Sequence, residues 1–107
     1  MKFLPSIISL LVINGAACAE VSPARGEQLE YMLLQDCGSC HGLTLQGGLG
    51  PALLPENLPG RTRDYLVYTI LRGRAGTAMP PWRGLLSEQD AAWMADRLLT
   101  GQPGETP

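Results

Sequence analysis

The sequence predicts an all-α fold, and three observations point to it. Nowhere in its 107 residues do apolar and polar positions alternate with period two between hairpin turns. Three segments start at a residue able to cap a helix and then carry apolar side chains three and four positions apart. Internal repeats and low-complexity tracts are absent, so one compact unit with about three main helices and long loops accounts for the length.

The first nineteen residues stand apart from that unit. Lys2 gives a short basic start, Phe3 to Ile13 is an apolar run, and Ala17-Cys18-Ala19 is a small-residue cleavage site. Residues 1–19 are therefore expected to be a signal peptide, and residues 20–107 the folded domain, starting at Glu20. The run is shorter than the roughly 18–20 residues that span a bilayer, so no transmembrane anchor is expected. Cys18 also suits a lipoprotein site, but Gly15 stands where such sites usually carry leucine, and simple cleavage is the preferred reading. Either route exports the protein.

The first helix is expected over Ala24 to about Gln35. Ser22 can accept from free N–H groups of the first turn, and Pro23 loses a donor that had no partner. Leu29, Met32 and Leu33 form its inward stripe. From Gly42 to Gly60 the chain (GLTLQGGLGPALLPENLPG) has no helical or alternating period and repeated chain breakers. A loop of that length in a small domain points to something it wraps, and its leucines point to something apolar. Thr62 caps a second helix, Arg63 to Arg72, stopped by Gly73, with Tyr65, Leu66, Ile70, Val67 and Leu71 facing inward. Ser87 to Asp90 resembles a capping box for a third helix that runs to Thr100 and stops at Gly101; Ala92, Trp93, Ala95, Leu98 and Leu99 are its apolar positions. Gln102 to Pro107 reads as a frayed tail.

Large side chains are scarce. The aromatic content is 6%, and the sole phenylalanine, Phe3, lies in the segment to be removed. A domain of this size often needs a disulfide, metal or cofactor to complete its core. With Cys18 gone, only Cys37 and Cys40 remain, in Cys37-Gly38-Ser39-Cys40-His41. Cys-x-x-Cys-His is the attachment sequence of a c-type haem. Cysteines on one turn can reach two vinyl groups of a porphyrin, and the next residue, His41, is then placed to ligate the iron. A zinc site would need a fourth ligand, and His41 is the only histidine; a thioredoxin-type pair would need a βαβ setting.

The second axial ligand falls to a methionine. Met32 and Met94 sit inside helices, where they read as core filler. Met79 lies in a loop, Gly73 to Trp82, whose prolines stiffen the backbone and whose glycines allow close passage over a flat ring. Met79 with His41 reproduces the ligation of cytochromes c.

The order helix, Cys-x-x-Cys-His, Gly-Pro-x-Leu, helix, Met-Pro, helix resembles the class I cytochromes c over Ala24 to Leu99. The resemblance implies that fold around one covalently bound haem. It further implies that Pro51 offers its carbonyl to the other ring nitrogen of His41, and that the first and last helices cross through Gly26 and Trp93. The segments QDCGSCHGLTLQGGLGPAL and GTAMPPW are more narrowly similar to the small cytochromes c encoded with the haem-c/haem-d nitrite reductase of denitrifying bacteria. That likeness implies a monomeric periplasmic electron carrier to the nitrite reductase, with a role in maturing the reductase's special haem as the alternative.

An iron held by His41 and Met79 has no open site for substrate, so no enzymatic activity is expected; a gas sensor would require Met79 to be absent from the iron or readily displaced. After cleavage, seven arginines face ten acidic residues, a formal balance of −3 that disfavours nucleic acid. Arg61, Arg63, Arg72, Arg74 and Arg83 share one segment with a single acid, Asp64. They read either as a solvated face with one or two pairing haem propionates, or as a basic rim that steers docking to an acidic partner.

Overall fold

The computed structural model describes residues 2–4 and 20–101; the cleavage site, Cys18 and the tail after Gly101 lie outside the described residues. The helical order is α1 (Pro23–Met32), a π-helical stretch (Leu33–Cys37), α2 (Gly38–His41), a 3₁₀ turn (Pro55–Asn57), α3 (Arg63–Arg72) and α4 (Glu88–Thr100). No strand occurs among the described residues. The three longest helices are those the sequence announces, and α4 packs on both α3 and α1.

α1 starts as its sequence requires: Ser22 Oγ accepts from Arg25 N–H at 3.1 Å and Pro23 occupies the first turn. It does not stop near Gln35. At Leu33 the backbone widens, the Gly38 N–H bonds to the Leu33 carbonyl five residues back, and helical winding continues through the cysteine motif. α3 has the expected bounds, with Thr62 Oγ1 accepting from Tyr65 N–H and Gly73 ending it at φ +66°. α4 begins in a complete capping box, Ser87 Oγ accepting from Asp90 N–H and Asp90 Oδ2 from Ser87 N–H, both at 3.0 Å.

Leu29, Leu33, Leu66, Ile70, Leu71, Met94, Ala95 and Leu98 form most of the core, with Leu45 and Leu58 supplied by the long loop. Met94 is indeed core filler, whereas Met32 is only half-buried. Two expectations need correction. Tyr65 does not face inward: its ring is held at the surface under the Arg61 guanidinium, 4.7 Å away. In α4 the fully buried positions are Ala91, Met94, Ala95 and Leu98, while Ala92, Trp93 and Leu99 are half-buried. Two partners on different sides of α4 broaden its apolar face beyond a single stripe.

The α1–α4 crossing sets Gly26 against the Trp93 indole. A Cβ at position 26 would lie 3.5 Å from Trp93 Cζ2, in ordinary contact, so a larger side chain would drive into the ring. Two bidentate pairs frame the crossing: Arg25 with Asp90 (2.8 and 3.2 Å) and Arg97 with Glu30 (3.1 and 3.2 Å). Asp90 is the one buried charged residue in the described core, and its hydrogen bond from Arg25 holds its carboxyl below the ordinary carboxylate range. Its contribution is therefore complete above the unfolded-state value near 3.9 and is lost as pH falls through the lower folded value. We expect Asp90→Ala to cost about 2–3 kcal/mol at pH 7, combining a lost cap with a lost charged hydrogen bond. Denaturant titrations should show that penalty shrinking as pH is lowered from 6 to 3; a constant penalty would contradict it. The exposed pair Arg63–Asp96, also 2.8 Å, contributes less, at most about 1 kcal/mol.

Candidate haem site

Cys37 closes the π-helical stretch, Cys40 lies one turn on in α2, and both are free thiols. Burial, reinforced by the negative charge of Asp36, pushes the Cys37 thiol up to about 11. Ser39 donates its hydroxyl to the Asp36 carbonyl at 2.7 Å, and Gly38 is buried against Leu43, whose Cα would lie 3.4 Å from an added Cβ.

The long loop is anchored where α2 ends. Helix C-termini leave carbonyls unpaired; here Gly50 N–H bonds to the Cys40 carbonyl and Gly47 N–H to the His41 carbonyl, each at 2.8 Å. Leu53 N–H then bonds to the carbonyl of Leu45, which is buried and takes a positive φ of 57°. These bonds bring Gly50 and Pro51 onto the His41 ring. His41 Nδ1 lies 2.6 Å from the Pro51 carbonyl oxygen. A carbonyl can only accept, so Nδ1 carries the proton and Nε2 keeps its lone pair. Gly50 is needed for this approach, since a Cβ there would come within 2.8 Å of Cε1 and 2.9 Å of Nδ1.

Met79 stands in a second, separately anchored loop. The Thr77 hydroxyl donates to the Arg74 carbonyl at 2.7 Å and accepts from Met79 N–H at 3.3 Å, while Arg74 N–H donates to the Met79 carbonyl at 3.2 Å. Gly73 passes so close that a Cβ would meet the Met79 oxygen at 2.7 Å and the Pro80 carbonyl carbon at 2.6 Å. Beyond the prolines, Trp82 N–H and Arg83 N–H bond to the Ile70 and Leu71 carbonyls, closing the loop on α3. These backbone contacts anchor the segment that carries Met79.

The residues present fit a haem. Two free thiols, an imidazole with Nε2 available and a loop-borne thioether are its donor set, and Gly50 opens the space beside the imidazole. Among the described residues no cluster of three His, Cys, Asp or Glu is arranged to hold a metal ion. The sequence reading missed Gly50, Thr77 and Gly73 as positioning residues. The only local signals were a glycine preceding the expected proline and a Gly-Thr pair before the methionine. The arginines of the basic segment divide: Arg63 is paired, Arg61 and Arg72 lie over tyrosines, and Arg74 and Arg83 have no ion-pair partner among the described residues.

Comparison with known proteins agrees with this geometry. Residues 24–96 match the family model described as cytochrome c oxidase, cbb3-type, subunit III. Cytochrome c55X of Pseudomonas aeruginosa is 59% identical over 90 residues, covering 84% of this chain and 76% of the relative. Cytochrome c55X of Stutzerimonas stutzeri is 52% identical over 98 residues, covering 92% and 87%. A solved c-type cytochrome, NirC, superposes with a TM-score of 0.71 at 62% identity, covering 73% of this chain and 92% of that one.

Proposed function

Because the chain belongs to the class I c-type cytochromes, electron carriers with one covalently bound haem c rather than enzymes, we propose that it serves denitrification as a periplasmic one-electron donor to nitrite reductase. In this reading Cys37 and Cys40 hold the haem through thioethers, and His41 and Met79 are the axial ligands. When bound, the haem supplies a one-electron ferric–ferrous couple.

The observation that carries the reading is the His41–Pro51 contact, together with the hydrogen bonds that anchor the loop carrying Met79. Pro51 holds the proton on Nδ1 and so leaves Nε2 as the ligand atom, fixing the orientation of the ring. Gly73, Arg74 and Thr77 fix the Met79 backbone. With a haem bound, His41 and Met79 would hold its iron from anchored backbone, and the iron would supply electron transfer rather than substrate binding. Export and the periplasm are supported by the amino-terminal pattern; no described helix is long and apolar enough to cross a membrane. The nitrite reductase is supported by the likeness of QDCGSCHGLTLQGGLGPAL to the small cytochromes c of that system.

The test is stopped-flow mixing of the reduced holo-protein with oxidised nitrite reductase carrying haem c and haem d. A second-order oxidation that supports turnover is expected. Should addition of the cytochrome leave the reductase's rate unchanged, while cells lacking it make reductase deficient in its special haem, the maturation role would replace electron donation.

A further inference from the structure

Seven arginines follow residue 19, and the fold treats them in two ways. Arg25, Arg63 and Arg97 are ion-paired to Asp90, Asp96 and Glu30 and tie helices together. Arg61, Arg72, Arg74 and Arg83 have no carboxylate partner among the described residues, and their segment holds one acid, Asp64.

Two of the unpaired four are nevertheless ordered. Tyr65, Tyr68 and Arg72 are spaced by three and four, so they share one face of α3, and Arg61, in the extended segment before the helix, reaches the same face through Tyr65. The Arg61 guanidinium lies 4.7 Å from the Tyr65 ring centroid and that of Arg72 lies 4.9 Å from Tyr68. Stacking uses the flat face of a guanidinium and leaves its in-plane N–H donors free for a carboxylate. Tyr68 is 58% exposed, whereas Leu66 and Ile70 on the opposite face are buried. At the carboxyl end of the stripe, Arg72 and Arg83 flank an open depression of about 480 Å³ lined by Leu71 and Pro81. The Arg83 N–H bond to the Leu71 carbonyl sets the spacing of these two arginines through the backbone.

We propose that the Arg61–Tyr65–Tyr68–Arg72 stripe of α3, with the Arg72/Arg83 depression at its end, is the docking face for an acidic protein partner. Arginine and tyrosine are among the residue types that dominate interface energetics, and here they are stacked in two pairs at the surface. The depression fits one acidic side chain of the partner, carboxylate between the two guanidiniums and methylenes on Leu71 and Pro81. Unpaired positive charge of this kind steers encounter and is weakened by salt. The inference rests on the reading of the chain as an electron carrier, and assigns the docking role to a defined set of the basic residues on and beside α3.

The test is an NMR titration of isotope-labelled ferrous holo-protein with the nitrite reductase named above, beside stopped-flow electron transfer on the same samples. Binding should shift signals of residues 61–74 and 81–83. Affinity should fall about tenfold or more between 0.01 M and 0.15 M salt, as the screening length shortens from about 30 Å to about 8 Å. Arg72→Glu with Arg83→Glu should weaken low-salt binding about tenfold and flatten the salt dependence, the Gln pair should do so less, and Tyr68→Ala should weaken binding at both salts. Shifts confined to residues 42–50, unchanged affinity in the charge-reversed variant, or no binding at either salt would overturn the docking face. Binding through the stripe without electron transfer would instead overturn the carrier reading and leave the docking face standing.

Discussion

Met79→Ala is expected to abolish the weak near-infrared absorption of the ferric holo-protein and to lower its reduction potential by roughly 0.1–0.3 V, part of the ~0.8 V range over which axial ligands set haem potentials. Thioether sulfur favours the ferrous state, and its loss removes that preference. The effect should be confined to this methionine. Met94 is 1% exposed inside the core and Met32 packs beside it, so Met32→Leu and Met94→Leu should retain both the absorption and the potential. The Met79 backbone is already held by Gly73, Arg74 and Thr77, so the variant should keep its loop and lose only the ligand. Near-infrared absorption and a redox titration of the three variants decide the matter; a band that survives in Met79→Ala would mean another residue is the ligand.

Replacing both Cys37 and Cys40 by alanine should convert a haem that resists acid-acetone into one that is removed completely. Each single replacement leaves one thioether and should leave the haem attached. The double variant should also lose cooperative folding. Twelve apolar residues make up the described buried core, and Met94 is its bulkiest unbranched side chain, with no buried aromatic among them. A domain so poor in large side chains leans on a bound group for apolar volume. Extraction followed by spectroscopy of the pellet, and circular dichroism on heating, separate the two effects. Porphyrin extracted from the wild-type protein would end the covalent reading.

The fold was legible wherever a local chemical rule operated. Ser22 with Pro23, Thr62 with Gly73, and Ser87 with Asp90 mark helix ends by hydrogen bonds within three residues, and the structure contains each of them. The motif was legible from its own spacing, whereas Pro51 as the His41 partner came from the resemblance to the class I cytochromes c. What depended on distant partners was not. The broad buried face of α4 depends on its packing against two helices, and the pairing of Leu45 with Leu53 on how the long loop closes; the Arg61–Tyr65 stacking is local but follows no capping or periodicity rule. The continuation of helical winding through Leu33–Cys37 carries no propensity signal, since the same residues suit an ordinary α-turn.

That widened turn works as a phase adjuster along a single rod. Upstream of it, Gly26, Leu29 and Leu33 must present one azimuth to α4; downstream, Cys37, Cys40 and His41 must present another to the haem. A regular helix advances 100° per residue, so one extra residue accommodated in the wide turn rotates the two sets relative to each other by about that angle. Wound as a uniform α-helix, the same residues would swing Gly26 about a quarter-turn away from Trp93 while the cysteine motif kept its own composition and spacing. Deleting a single residue between Leu33 and Asp36 would remove the surplus that the wide turn absorbs, and uniform winding would then leave both sets facing as they do now.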